Sequence, residues 1–426
     1  MSSPGAHTFT RRSVLGGMVG VGVGVGAGAT ALRPAAASAQ DHDTEEDDHS
    51  DGTIARTGAV VVVHLVGGLD GLSTIIPHTS HDYYRFRRTI AIAPPGEIGG
   101  AIPYVADWGL HPALGSLVNE VGTDAFALVA GVGHLDRLRN RSHRLALRRL
   151  HRGGIERGRD GWGTRLFDQL SMNGELAWTP DEDGHPVFGG LGGLNAGQNR
   201  VLPTSRFAEP GRAAAALAAA YGGTAAIDIA GRETIGRAGR SSQVTWTSAV
   251  DRGYPAGGLG ARLAGAADVL RSSLGVRLIT IDHDGYDTHT DQGSGLGGVL
   301  AVRLDELATA LAAFWTDLGP LSNDVTIVAV SEFGRRVQEN RRGGTNHGRG
   351  GVALVLDRSV VSGIHATPDT LDPDLDRGAW PVTVDVHQLL ADVVAARGLN
   401  PWVGDGDGRP FAEADGGDSI GVIRGG

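Results

Sequence analysis

The chain contains no cysteine. Disulfides, zinc–thiolate sites and cysteine nucleophiles are therefore excluded. There is no lysine either, so all 38 basic residues are arginine, a bias of composition rather than a mark of function. Positive charge is in deficit overall, with a formal net charge of −10. A surface of that sign repels a phosphate backbone and argues against nucleic acid as a partner.

What is present begins at the N-terminus. Thr10-Arg11-Arg12-Ser13-Val14-Leu15 sets an arginine pair before an apolar run at 14–32 that is rich in Gly and Ala. The run is followed by Ala37-Ser38-Ala39, a small-x-small pattern that a signal peptidase cuts before Gln40. Residues 1–39 are therefore expected to be a twin-arginine signal peptide. The protein is expected to be exported already folded, to the periplasm, the cell surface or the medium. The run is long enough to span a bilayer. Its Gly-Val alternation disfavours a lipid-facing helix, since each Gly costs roughly 1 kcal/mol of helix propensity. A membrane thus enters only through an uncleaved leader. The leader holds Arg11, Arg12 and Arg33 and no acid, so its removal takes the formal charge from −10 to −13. An exported chain without disulfides relies on its core. Cargo exported folded often carries something loaded in the cytoplasm, which directs attention to metals.

About 387 of the 426 residues follow the leader, enough for one large domain or two ordinary ones. Residues 40–57 are acidic and nearly free of apolar side chains, which predicts a disordered linker. A single α/β domain is expected over 58–426. Buried strands are predicted at 59–66, 126–130, 276–281, 325–330 and 352–356. Amphipathic helices are predicted where Leu110, Leu114, Leu117, Val118 and Val121 share a face, with Pro112 in the first turn. Two more follow along Leu300, Leu304, Leu307, Leu311, Phe314 and Leu318, and along Leu389, Leu390, Val393 and Val394 before Gly398. Strands alternating with such helices predict a mainly parallel sheet. The stretch at about 174–258 is irregular and rich in Gly and Ala, and reads as an insertion or cap.

Functional groups in an open α/β sheet gather at the carboxyl ends of strands. The first predicted strand runs into Gly67-Gly68-Leu69-Asp70-Gly71, where Asp70 is either a ligand or a turn aspartate bonding its own backbone. His64 inside that strand reads as a satisfied core histidine. The strand at 276–281 runs into Asp282-His283-Asp284-Gly285-Tyr286-Asp287-Thr288-His289. Imidazole with carboxylate suits zinc, manganese or iron, and carboxylate alone suits calcium or magnesium. The strand at 325–330 runs into Ser331-Glu332-Phe333-Gly334-Arg335, and a glycine-rich turn then carries His347. Glu332 is a candidate ligand or general base. Asn140-Arg141-Ser142-His143 precedes a helical pattern. Ser142 there is either an N-cap or a nucleophile at the positive end of a helix dipole, with arginines to hold an oxyanion. Together these residues predict a metal-assisted ester hydrolase.

The same segments, in the same order, resemble the domain-of-unknown-function 1501 family of exported bacterial proteins. The resemblance is carried by Gly67-Gly68-Leu69-Asp70-Gly71-Leu72 with Pro77, and by Leu110-His111-Pro112-Ala113-Leu114. It continues through Arg141-Ser142-His143, Gly161-Trp162, Gly285-Tyr286-Asp287-Thr288-His289 with Gln292, and Ser331-Glu332-Phe333-Gly334-Arg335. Gly344-Thr345 with His347-Gly348 completes it. The family is similar to a distant branch of the alkaline phosphatase and sulfatase superfamily. That resemblance implies a doubly wound α/β fold, with helices on both faces of a mainly parallel sheet. It also implies one or two divalent metals (zinc, calcium, magnesium or manganese) at the strand ends. It implies metal ligation by Asp70, Asp287, His289, Glu332 and His347, and catalysis by Ser142 with Arg141 and His143. The implied substrate is a small anionic ester or a surface polymer. An exported protein partner is also implied. Many relatives carry a carboxylate and a histidine where Asn346 and Arg349 stand, and an arginine at Val66. Asp282, His283 and Asp284 replace a plainer apolar-glycine stretch. The missing ligands favour a second expectation, a non-catalytic binding or assembly protein that keeps the hydrolase fold.

Overall fold

The apolar run at 59–66 forms a strand buried on both sides, flanked in space by two strands that come from the second half of the chain. The computed structural model describes residues 58–135, 142–154, 161–169, 177–180, 186–187, 223, 244–272, 276–295, 297–368, 371–372, 375–402, 409–411, 414 and 419–424. The expected leader and linker, Arg141, and most of the stretch at 174–258 lie outside them. All the described residues belong to one unit, Arg56–Gly426.

In chain order the strands are β1 (Ala59–Val66), β2 (Ile75–Pro77), β3 (Ile102–Val105), β4 (Trp108–Leu110), β5 (Phe126–Gly133), β6 (Ala177–Pro180) and β7 (Pro186–Val187). They continue with β8 (Leu278–Asp284), β9 (Val325–Val330), β10 (Arg335–Glu339), β11 (Thr345–His347), β12 (Gly351–Leu356), β13 (Gly363–His365) and β14 (Val384–Asp385). The helices are α1 (Gly71–Thr74), α2 (His81–Phe86), α3 (His143–His151), α4 (Trp162–Gln169), α5 (Gly258–Arg271), α6 (Val299–Leu318) and α7 (Val386–Ala395).

The main sheet has the order β13-β5-β12-β9-β1-β8-β6-β7, with β14 also paired to β5. Strands β6, β8, β1 and β9 are parallel neighbours, and β13 and β14 run parallel to β5. β12 runs against both β9 and β5, and β7 against β6. The sheet is thus mainly parallel, as expected, with one antiparallel strand in its interior. Two short strands from the expected insertion, β6 and β7, extend its edge. Side chains alternate across the sheet. Val61, Val63 and Leu65 join a core with Leu263 of α5 and with Leu304, Leu311 and Phe314 of α6. Val60 and Val62 join the opposite core with Leu150 of α3, Leu166 of α4 and Leu389 of α7. Helices therefore cover both faces. No helix among the described residues is long and apolar enough to cross a membrane.

The two long C-terminal helices follow the predicted stripes. α6 ends where Gly319 takes φ +53, and the chain leaves α7 through Gly398 at φ +68. The stripe from Leu110 to Val121 does not form one helix. Leu110 is held in the β2–β4 ladder opposite Ile75, a short 3-10 turn spans Pro112–Leu114, and a π-helical turn spans Leu117–Val121. The break is made by His111, whose Nδ1 accepts the Ala113 N–H at 3.0 Å.

That acceptor role requires a neutral Nδ1. Burial pushes His111 down to about 4, against a smaller opposing pull from Asp70. The folded value lies below the unfolded one, so the unfolded chain binds the proton first as pH falls. Stability is therefore expected to drop between pH 6.5 and 4, by up to about 3 kcal/mol from this site. His111→Asn keeps an acceptor for Ala113 and removes the titration. Urea midpoints measured from pH 7 to 4 should fall less steeply in this variant. An unchanged slope would remove His111 as the cause.

Candidate metal centre

β1 lies where the chain's order reverses, with β9 on one side and β8 on the other, so a crevice opens at their carboxyl ends. Gly67 turns there with φ +124, and a Cβ on it would lie 2.3 Å from the Asp287 nitrogen. Only glycine lets the loops after β1 and β8 approach this closely. The Gly67 N–H donates to Glu332 Oε1 at 3.0 Å, and the Leu69 N–H donates to Ser331 Oγ at 3.0 Å. The loop after β9 is tied to the same point.

Around this crevice the structure gathers His143, Asp287, His289, Glu332 and His347. His347 Nε2 stands 2.9 Å from His143 Nε2 and 2.8 Å from His289 Nε2. Asp287 Oδ1 lies 3.3 Å from His143 Nε2, 3.1 Å from His289 Nε2 and 3.3 Å from His347 Nε2. His143, Asp287 and His347 form a group whose donor atoms all lie within 4.8 Å of one another. His289 joins it through His347 and Asp287. Phe333 packs against the rings of both His143 and His347 and limits their rotation.

The hydrogen-bond pattern fixes what these atoms offer. His143 Nδ1 is 2.6 Å from Glu332 Oε1, so Nδ1 carries the proton and donates it to the carboxylate. The neutral ring then presents Nε2 as a bare lone pair to the cluster. His347 Nε2 meets the Nε2 atoms of His143 and His289 and an anionic oxygen at once, four atoms that compete for few protons. A cation satisfies them together, and a carboxylate orienting a ligating histidine from behind is the usual support for one. The donor set therefore fits a divalent metal.

Electrostatics act on the set in both directions, favouring the anion at Asp287 and, with no cation bound, a proton at His143. Burial opposes the charge on Asp287, but its hydrogen bond and ion pair with Arg335 hold the carboxyl below the usual range. Burial likewise opposes charge on His143, and the bond to Glu332 with the charges of Glu332 and Asp287 outweighs it, raising the pKa. At His289 burial prevails and the pKa is lowered. The Asp287 side chain remains 46% exposed, so the cluster faces solvent on one side.

Asp70, Ser142 and His143 take the following places. Asp70 is not brought to the histidines. Its carboxylate is the buried anion of a pair with Arg87, at 2.7 and 2.9 Å, and it also accepts from Gln292 Nε2 at 2.6 Å and Ser73 Oγ at 3.3 Å. It acts beneath the centre, because Gln292 Oε1 accepts in turn from Thr288 and Thr345 in the site loops. Ser142 occupies the N-cap position of α3, but its side chain makes no cap hydrogen bond. His143, expected beside the nucleophile, contributes its Nε2 to the histidine cluster. Arg335 is a functional residue that no pattern in the sequence singles out; its place three residues after Glu332 is the one local signal for it.

Residues 250–423 match the family model described as "Protein of unknown function (DUF1501)". The matched stretch holds Asp287, His289, Glu332 and His347, and leaves Asp70, Ser142 and His143 outside. No curated protein matches the sequence.

Proposed function

We propose that the protein is an exported, metal-dependent hydrolase of phosphate or sulfate esters with an alkaline-phosphatase-like fold. The convergence of His143, His347 and Asp287, with His289 beside them, carries this reading. Three imidazoles and one carboxylate suit a borderline ion such as zinc or manganese better than calcium or magnesium, which favour oxygen shells. A divalent ion held there supplies Lewis-acid polarisation and lowers the pKa of an attacking hydroxyl. The chain's own residues do the rest. Glu332 holds the His143 ring in its ligating tautomer. Arg335 keeps Asp287 ionised and aimed. Ser142 is the nucleophile, its hydroxyl unused as a cap at the start of α3, where free N–H groups favour an anion. Arg141, its neighbour in the sequence, is of the residue type that binds ester oxygens by forked hydrogen bonds.

The test starts from mature protein whose N-terminus reads Gln40, purified without chelator. Elemental analysis should find at least one divalent ion per chain, and Asp287→Asn should contain at least one fewer. Ser142→Ala should keep the metal and lose about 10³-fold or more in turnover of an aryl phosphate or aryl sulfate. Retained turnover sinks the serine assignment, and a folded, metal-free wild type sinks the centre.

A second reading is a binding or assembly protein without turnover. It is favoured by Arg349, which donates to the carbonyls of His134 and Leu135 at 3.2 and 3.1 Å, at a position where the family resemblance implies a histidine. Metal bound without hydrolysis of any ester tested would select it.

A further inference from the structure

A second group of metal-ligating side chains lies away from the crevice, on the face of the sheet that α3 covers. His64 of β1 and Asp282 of β8 are directly opposite each other in the parallel ladder. His64 Nδ1 is 3.1 Å from Asp282 Oδ1. His151, the last residue of α3, places its ring 4.7 Å from that of His64. Donor atoms of all three lie within 4.8 Å of one another.

His64 is what makes this more than a chance meeting. It is 1% exposed, in the middle of an otherwise apolar strand. A polar ring in such a strand calls for a partner. Its Nδ1 faces the Asp282 carboxylate at 3.1 Å, close enough for one cation to bridge the two, and His151 supplies the third donor of the group. Asp282 brings negative charge, and its side chain is 45% exposed, which leaves a way in from solvent.

We propose that His64, His151 and Asp282 form a second divalent-metal site, of the zinc class, which pins the C-terminal end of α3 to the β1–β8 ladder. Two imidazoles with one carboxylate and an open fourth position suit zinc. The site is separate from the first centre. His143 and His151 are the two ends of one helix, eight residues apart, or about 12 Å along its axis. The proposal does not rest on the hydrolase reading, since it needs neither Ser142 nor turnover.

The test is zinc titration of the full mature chain, followed by elemental analysis after dialysis, in wild type, Asp282→Asn and His151→Gln. Both replaced side chains lie at the end of an element or partly in solvent, so folding is expected to survive; circular dichroism checks this. Each variant should hold one zinc fewer than wild type, with the affinity of that class weakened about 100-fold or more. The same comparison in an Asp287→Asn background isolates this site. There one zinc should remain, and Asp282→Asn should remove it. Equal zinc content with and without Asp282→Asn in folded protein overturns the proposal, whichever way the first centre behaves. Loss of zinc from Asp287→Asn alone, with Asp282→Asn unaffected, overturns it as well and leaves the first centre standing.

Discussion

Replacing Asp70 by asparagine is expected to destabilise the protein by about 3–5 kcal/mol while leaving its metal content unchanged. Asp70 and Arg87 are each about 1% exposed. Burial pushes the Asp70 carboxyl upward, but the charge and hydrogen bonds of Arg87, with help from Gln292, more than reverse this and hold it low. The folded value thus lies below the unfolded one. The pair's stabilisation is present above the ordinary carboxylate range and is lost as pH falls through the folded value. Arg87 also donates to the carbonyls of Val337 at 2.8 Å and Arg336 at 2.9 Å, so it fastens β10 to the loop after β1. Asparagine leaves its guanidinium buried without a counter-charge. Removing both partners, as Asp70→Leu with Arg87→Leu, should recover part of the loss, because no lone charge remains. Urea unfolding measures the first effect and elemental analysis the second. A large loss of metal in folded Asp70→Asn would return Asp70 to the ligand set.

Arg335→Lys is the second large effect. The Arg335 side chain is fully buried and reaches the ends of three strands at once. Its Nε donates to Gly68 O at 2.7 Å, after β1. Its Nη1 donates to Thr345 O at 3.2 Å, and its Nη2 to Tyr286 O at 3.0 Å, to Gly67 O and to Asp287 Oδ1. A lysine ammonium has three donors at one point and cannot span that set. Two or more buried carbonyls would go unpaired, at about 1–3 kcal/mol each, so a loss of at least about 2 kcal/mol is expected. Asp287 would lose its restraint as well, and zinc affinity at the first centre should fall about tenfold or more. Unfolding midpoints and zinc titration of the variant report the two effects separately. Unchanged affinity in a destabilised variant would confine Arg335 to a structural role.

The parts of the fold that could be read from the sequence are those whose signal is local. β1 and β9 end where expected because each is a run that is apolar but for one residue, His64 or Thr326, with polar or glycine residues on both sides. β8 is expected at 276–281 but runs from Leu278 to Asp284, because Asp282 is sheltered across the ladder by His64. Hydropathy reads such a paired aspartate as a loop. The reversed direction of β12 is not legible either, since a six-residue apolar strand carries no mark of its orientation. In the site, Asp287, His289, Glu332 and His347 were legible because glycines and acids follow apolar runs. The role of Asp70 was not. Its partner Arg87 lies 17 residues away in a segment with no distinguishing pattern. His64 reads as a satisfied core histidine, and its nearness to Asp282 and His151 comes only from the packing of β8 and α3 against β1.

Helix α3 carries a histidine at each end and spans the distance between two groups of potential ligands. A nine-residue helix moves as a rod, so any tilt that draws one end to the sheet also moves the other. Ions at the two ends would then act as effectors of each other. Thermodynamic linkage makes that influence reciprocal: whatever factor the ion at His151 contributes to affinity at His143, the ion at His143 returns in equal measure.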